Sequence, residues 1–190
     1  ARGTIWSNIY KMLKPYFEQE TGQAFASGIK VLVRVSVDFH ELYGYSLTVL
    51  DIDPTYTVGD MERKRREILR QLEKEGVIDL NKELEMPVLP QRIAVISSAT
   101  AAGYGDFCNQ LSNNPRGYGF YTELFPAIMQ GERVEESIIA ALDAIYARLE
   151  AFDVVVIIRG GGATSDLSGF DTYELAANCA QFPLPIITGI

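Results

Sequence analysis

Val154-Val-Val-Ile-Ile-Arg-Gly-Gly-Gly-Ala-Thr-Ser-Asp166 is the stretch on which the reading of this fold turns. Five β-branched apolar residues run into an arginine, three glycines and a polar trio. A short unbroken apolar run bounded by glycine reads as a strand buried on both faces. The polar trio reads as the opening of a helix. In an open parallel sheet, a strand, a glycine loop and a helix N-terminus in succession let backbone amides approach a phosphate. Arg159 adds a forked cation suited to phosphate oxygens.

The same alternation of strand and helix extends to both sides. Arg92 to Ser97 reads as a strand and about 102–112 as a helix. Phe120 to Phe125 is a second strand. Val134, Ile138, Ala141, Leu142, Ile145 and Leu149 recur at helical spacing. After the third strand, Asp171 to Gln181 reads as mostly helical, and Pro185 to Ile190 begins a fourth strand. Residues 91–190 are therefore expected to be an α/β domain, an open parallel βα sheet with Rossmann- or flavodoxin-like layering.

Residues 1–56 differ. Thr4-Ile5-Trp6 is a plausible strand, and Ile9, Met12, Leu13 and Tyr16 mark a helix that Pro15 should keep short or irregular. Ile29, Val31, Val33, Val35 and Val37 alternate with Lys30, Leu32, Arg34, Ser36 and Asp38, the pattern of a half-buried strand. His40 to Gly44 is a hairpin loop, and Tyr45 to Ile52 returns. Helix and hairpin fit part of a small Greek-key barrel such as an OB-fold, with too few strands to close one. Residues 57–76 read as a charged helix with a narrow stripe of Met61, Ile68, Leu69 and Leu72, stopped by Gly76. Residues 77–90 read as a polar, proline-ended linker. The three regions expected are thus 1–56, 57–90 and 91–190.

Net charge is −8, spread unevenly: 12 Lys/Arg against 14 Asp/Glu in residues 1–86, and 5 against 11 in residues 87–190. A generally basic nucleic-acid coat is excluded, so contact with a polyanion would use local patches. The run Arg63-Lys-Arg-Arg66 reads first as a solvated helix face and second as a phosphate contact. No run approaches the ~20 apolar residues of a membrane span, and no signal peptide is visible, so a cytoplasmic setting is expected. Cys108 and Cys179 lack CxxC spacing and read as reduced structural thiols. The chain begins without methionine and stops on an apolar strand, as if cut at both ends.

Ligands of such sheets gather at the carboxyl ends of the strands. Three loops are expected there: Ser97-Ser98-Ala99-Thr100, Arg159-Gly160-Gly161-Gly162, and Thr188-Gly189. Ser97, Ser98, Thr100, the three glycines and Asp166 are the phosphate-binding candidates, and Asp106 could reach the same rim from the first helix. The glycines read equally well as a device for a tight turn. No dinucleotide fingerprint, P-loop or metal-ligand spacing occurs. His40, the sole histidine, reads as a surface residue of the hairpin. Phe39, Tyr43 and Tyr45, beside Lys30 and Arg34, could stack bases and track a backbone, or could simply pack a barrel.

Several separated motifs, in order, resemble one family. Leu89-Pro-Gln-Arg-Ile-Ala-Val-Ile-Ser-Ser-Ala-Thr-Ala-Ala102, Asp106, Val156-Ile-Ile-Arg-Gly-Gly-Gly162, Asp166-Leu167, Phe170 and Pro185-Ile-Ile-Thr-Gly189 are similar to the large subunit of bacterial exonuclease VII. Glu75-Gly-Val-Ile-Asp79 and Met86-Pro-Val-Leu-Pro90 resemble its EGLFD…LPxLP passage, and the preceding residues resemble the second half of its OB-fold. The likeness spans nearly the whole chain. It implies a single-strand-specific exodeoxyribonuclease that shortens DNA from either end to oligonucleotides, with an OB-fold that binds the strand. It also implies small subunits gathered by a C-terminal helical region. Asp106 and Arg159 match two catalytic positions; the other two belong to a GHExD segment expected directly after Gly189-Ile190, so this stretch is expected to be inactive alone. Ala99, Ala101 and Ser168 depart from the family's usual proline, glycine and tryptophan. The resemblance implies no structural metal or other cofactor, and leaves a catalytic magnesium ion at Asp106 open. Two other classes stay open: a non-catalytic module for single-stranded DNA with a degenerate phosphate-binding domain, and a sensor for a small nucleotide.

Overall fold

The computed structural model describes residues 3–41, 44–160, 167 and 169–189. The chain divides into two units, one ending at Glu67 and the other starting at Ile68.

The first unit holds β1 (Gly3–Thr4), α1 (Ser7–Thr21), β2 (Leu32–His40), β3 (Gly44–Asp53) and the start of α2 (Pro54–Glu75). Its sheet has the order β1-β3-β2, with β1 parallel to β3 and β2 antiparallel to it. Leu13 and Phe17 of α1 pack with Val49 and Ile52 of β3. The helix runs through Pro15 for 15 residues, where a short or irregular helix was expected. The proline lies on the exposed side, between buried Leu13 and Phe17, where water can satisfy the freed carbonyl one turn back. Val33 and Val35 pack against the cluster of Leu13, Phe17, Val49 and Ile52 as their alternation predicts, but Val37 lies outside it and is 58% exposed.

α2 starts three residues before the expected position. Pro54 occupies its first turn, and the Asp53 carboxylate accepts the Thr55 amide at 3.0 Å, capping the helix. It stops as expected: Gly76 adopts φ +70°, its amide donates to Glu73 O at 3.0 Å, and the Val77 amide donates to Leu72 O at 3.1 Å. Residues 62–67 of this helix are exposed on every side, which favours the solvated reading of the basic run.

The second unit is an α/β layer structure. Its elements are β4 (Arg92–Ser97), α3 (Ala102–Ser112), β5 (Tyr121–Pro126), α4 (Val134–Tyr146), β6 (Val154–Ile158), α5 (Tyr173–Ala180) and β7 (Ile186–Gly189). A single 3₁₀ turn, Leu149–Ala151, precedes β6. The sheet order is β5-β4-β6-β7, and every neighbouring pair is parallel. The chain moves outward from β4 to β5, then returns past β4 to β6 and β7. Right-handed crossovers then place α3 on one face and α4 with α5 on the other. Packing agrees: Ile93, Val95, Val154, Val156 and Ile158 meet Tyr104, Phe107 and Leu111 of α3. Ala94, Ile96, Val155 and Ile157 join Ile138, Leu142 and Ile145 of α4 and Leu175 of α5. β6 is buried throughout and β4 from Ile93 onward, because each face has a helical cover.

The stretch read as a linker is tied into this unit. The Asn81 side-chain amide donates to Phe182 O and Leu184 O, both at 2.9 Å, and its oxygen accepts the Ile186 amide at 3.0 Å. One side chain thereby closes three backbone groups at the mouth of β7.

Candidate functional site

The winding direction reverses between β4 and β6, so the loops leaving their carboxyl ends diverge to opposite sides and open a crevice. The β4 loop is a tight turn. The Ala101 amide donates to Ser98 O at 3.0 Å, and the Ser98 and Thr100 hydroxyls lie 3.1 Å apart. α3 follows without a side-chain cap among the described residues and without an acidic residue in its first turn. Gly103 lets that turn sit against β6: a Cβ there would stand 3.1 Å from Arg159 O. A Cβ on Gly160 would stand 3.0 Å from the Cβ of Ala101, so the two loops touch. Arg159 is pinned through its backbone, whose amide donates to Gly189 O at 3.0 Å. On the other side of β4, the Ala127 amide donates to Ser97 O at 2.9 Å, and the Ile128 amide donates to the Ser137 hydroxyl at 2.8 Å.

The result is a cleft of about 520 Å³ with two kinds of wall. Ser98, Thr100, Arg159 and Gly160 form the polar side; Ala101, Ala102, Ala127, Ile128, Met129 and Gln130 complete it. Arg159 is the one ionisable residue among the described lining residues.

The family model for "Exonuclease VII, large subunit" matches residues 77–190, which include this cleft. The chain belongs to the exonuclease VII large-subunit family. It is 35% identical over 193 residues to the exodeoxyribonuclease 7 large subunit of Deinococcus radiodurans, covering all of this chain and 46% of that protein. The Cyanothece protein of the same name is 36% identical over 132 residues, covering 70% of this chain and 30% of its own length. That of Lactobacillus delbrueckii subsp. bulgaricus is 30% identical over 164 residues, covering 86% and 35%. The chain thus spans less than half the length of these curated relatives.

In this exonuclease VII family chain, three of the expected phosphate-binding residues, Ser98, Thr100 and Gly160, line one cleft with Arg159, a catalytic candidate. Ser97 does not join them. It is fully buried, and its hydroxyl donates to Ile158 O at 2.7 Å, fastening β4 to β6 beneath the cleft floor. Asp106 is exposed in the second turn of α3 and is not part of the lining. Gly161, Gly162 and Asp166 lie outside the described residues. Thr188 and Gly189, expected as a third loop, are the last residues of β7; Gly189 O accepts the Arg159 amide, and neither residue is part of the lining. The loop after β5, from Ala127 to Gln130, went unnoticed in the sequence. Its signal was available: apolar Ile128 and Met129 just past the end of a parallel strand.

Among the described nucleic-acid candidates of the first unit, Arg34 stands apart from Phe39 and Tyr45. Phe39 and Tyr45 pair across β2 and β3 with ring centroids 5.0 Å apart, and are 64% and 70% exposed. Arg34, five residues before Phe39, points to the opposite face of the pleat and pairs with Asp51 at 3.2 Å. Tyr43 lies outside the described residues. Lys30 is 3.7 Å from Asp60 and 5.9 Å from the centre of the Tyr56 ring. Asp60 is itself buried, and Arg63 and Lys64 also reach it. Burial pushes its carboxyl up, but Lys30, Arg63 and Lys64 outweigh that and hold it below the ordinary value. Part of the basic run is therefore committed to an internal carboxylate. Among the described residues, no three His, Cys, Asp or Glu side chains group as a metal ion would need, and no helix is long and apolar enough to cross a membrane.

Proposed function

We propose that this chain belongs to an exodeoxyribonuclease that hydrolyses phosphodiester bonds of single-stranded DNA from its ends, releasing oligonucleotides. The observation that carries the reading is the cleft at the reversal between β4 and β6, which joins Arg159 to Ser98, Thr100 and Gly160. Water attacks phosphorus, the bond to the leaving sugar oxygen breaks, and that oxygen takes a proton. Charge accumulates on the phosphoryl oxygens as this happens, and a preorganised guanidinium lowers the barrier most at that moment. The hydroxyls of Ser98 and Thr100 orient the group. Asp106, exposed on α3 and outside the cleft lining, is the carboxylate proposed to act on water from the rim. The Phe39–Tyr45 pair offers ring faces to unpaired bases, which suits a single strand better than a duplex. The family name, a large subunit, supports assembly with small subunits, and the reaction fits a cytoplasmic protein.

The test uses the full-length gene product with end-labelled single-stranded and duplex oligonucleotides. Arg159→Ala should lower cleavage of the single strand by about 10²–10³-fold with strand binding retained, and Asp106→Asn should lower it as well. Unchanged cleavage in Arg159→Ala removes the cleft from the reaction. Strand binding without any cleavage by the unaltered protein would favour a non-catalytic binding module.

A further inference from the structure

The cleft is larger than a phosphate requires, and its β5 side, Gln130 apart, is apolar. About 520 Å³ falls in the range of sites that enclose a whole small ligand. The polar groups stand over β4 and β6, while Ala127, Ile128, Met129 and Gln130 stand over β5. β5 and β6 flank β4, so the two sides are separated by two inter-strand spacings, about 10 Å. Met129 and Ala127 are buried and close the floor on that side. Ile128 is different: it is 38% exposed at the rim, although its backbone is pinned to Ser137. An exposed branched side chain on a held backbone, beside Arg159, offers an apolar contact to a flat group. Gln130, also exposed, carries both a donor and an acceptor.

We infer that the cleft takes a complete nucleotide, with its phosphate at Ser98, Thr100, Arg159 and Gly160 and its nucleobase laid against Ile128 with Gln130 at the base edge. This rests on the nuclease reading and deepens it, because it assigns the β5 loop as the base subsite of the same site. An aliphatic contact accepts any base through its face, and an amide offers a partner to any base edge. The subsite therefore holds a nucleotide without selecting a sequence.

Two measurements separate this inference from the nuclease reading. First, binding of dTMP and of 2-deoxyribose 5-phosphate is measured by calorimetry on the full-length gene product. dTMP should bind at least tenfold tighter. Ile128→Ala should reduce that preference about fivefold, while Ile128→Leu restores it and neither changes the affinity for 2-deoxyribose 5-phosphate. Equal affinities for the two probes, or no binding of either, would overturn the base subsite. Second, cleavage is measured on strands with and without an abasic residue at the cut position. The abasic strand should show a raised KM, and Ile128→Ala and Gln130→Ala should raise KM on the base-containing strand alone. If both strands are cut with the same KM while Arg159→Ala stops both, the nuclease reading stands and the base subsite falls.

Discussion

Removing the side chain of Asn81 should unfasten β7 from the second unit. Its amide nitrogen serves two carbonyls, of Phe182 and Leu184, and its oxygen serves the Ile186 amide, all between 2.9 and 3.0 Å. Only one orientation of the amide satisfies all three. A neutral hydrogen bond contributes about 1 kcal/mol net, so Asn81→Ala should cost roughly 2–3 kcal/mol, the site being half-buried and partly open to water. For a unit of this size that is a fall in Tm of about 10 °C. Asn81→Asp adds a sharper test. The carboxylate can still accept the Ile186 amide, but it confronts two carbonyl oxygens without a proton to give them. Its folded-state pKa should therefore be raised above the unfolded value of roughly 3.9. Stability from the protonated form is present below that unfolded value and is lost as pH rises through the higher folded one. Circular-dichroism melts at pH 4 and pH 7 should then show Asn81→Asp closer to the unaltered protein at pH 4. An Asn81→Ala melt within about 2 °C of the unaltered protein, against the ~10 °C expected, would refute the clamp. So would a pH-independent deficit in Asn81→Asp.

Asp153 behaves in the opposite sense. The Arg92 guanidinium first, and the Gln91 and Arg92 amides with it, hold its carboxyl below the usual range. Its contribution is present above the unfolded value near pH 4 and lost as pH falls through the lower folded value, so Asp153→Asn should flatten the loss of Tm between about pH 4 and pH 2.5. A Cβ on Gly169 would stand 2.7 Å from Gly131 O and 2.9 Å from the Cβ of Val134, so Gly169→Ala should destabilise by about 1–3 kcal/mol in a denaturant titration. An unchanged midpoint would contradict that close approach. In fluorescence anisotropy with single-stranded DNA, Phe39→Ala and Tyr45→Ala should each weaken binding by about 1–3 kcal/mol. Arg34→Ala, on the other face and paired with Asp51, should matter less; a larger effect from Arg34 would reverse the assignment of faces.

Local pattern was enough for much of this protein. The runs Arg92–Ser97 and Val154–Ile158 marked both central strands to the residue, and the spacing from Val134 to Leu149 marked α4, which ends at Tyr146 with Leu149 in a separate 3₁₀ turn. Glycine and arginine directly after a buried strand pointed to the carboxyl edge, and Arg159 and Gly160 do line a cleft there. These signals are local: burial on one or two faces leaves a period of 3.6, of 2, or none.

Strand order left no such trace, because it depends on which helix crosses which face, and period carries no such information. Placing β5 beside β4 brought Ile128 and Gln130 to the cleft and left Thr188 outside its lining. The same pairing of β4 with β6 buried Ser97 against Ile158 O, turning an expected ligand into a fastener. The pleat of β2 put Arg34 and Phe39 on opposite faces despite their nearness in sequence. Asn81 looked like loop filler until the chain, about a hundred residues later, brought back the carbonyls it holds. Partners so far apart are found by packing, whose outcome depends on all the elements at once.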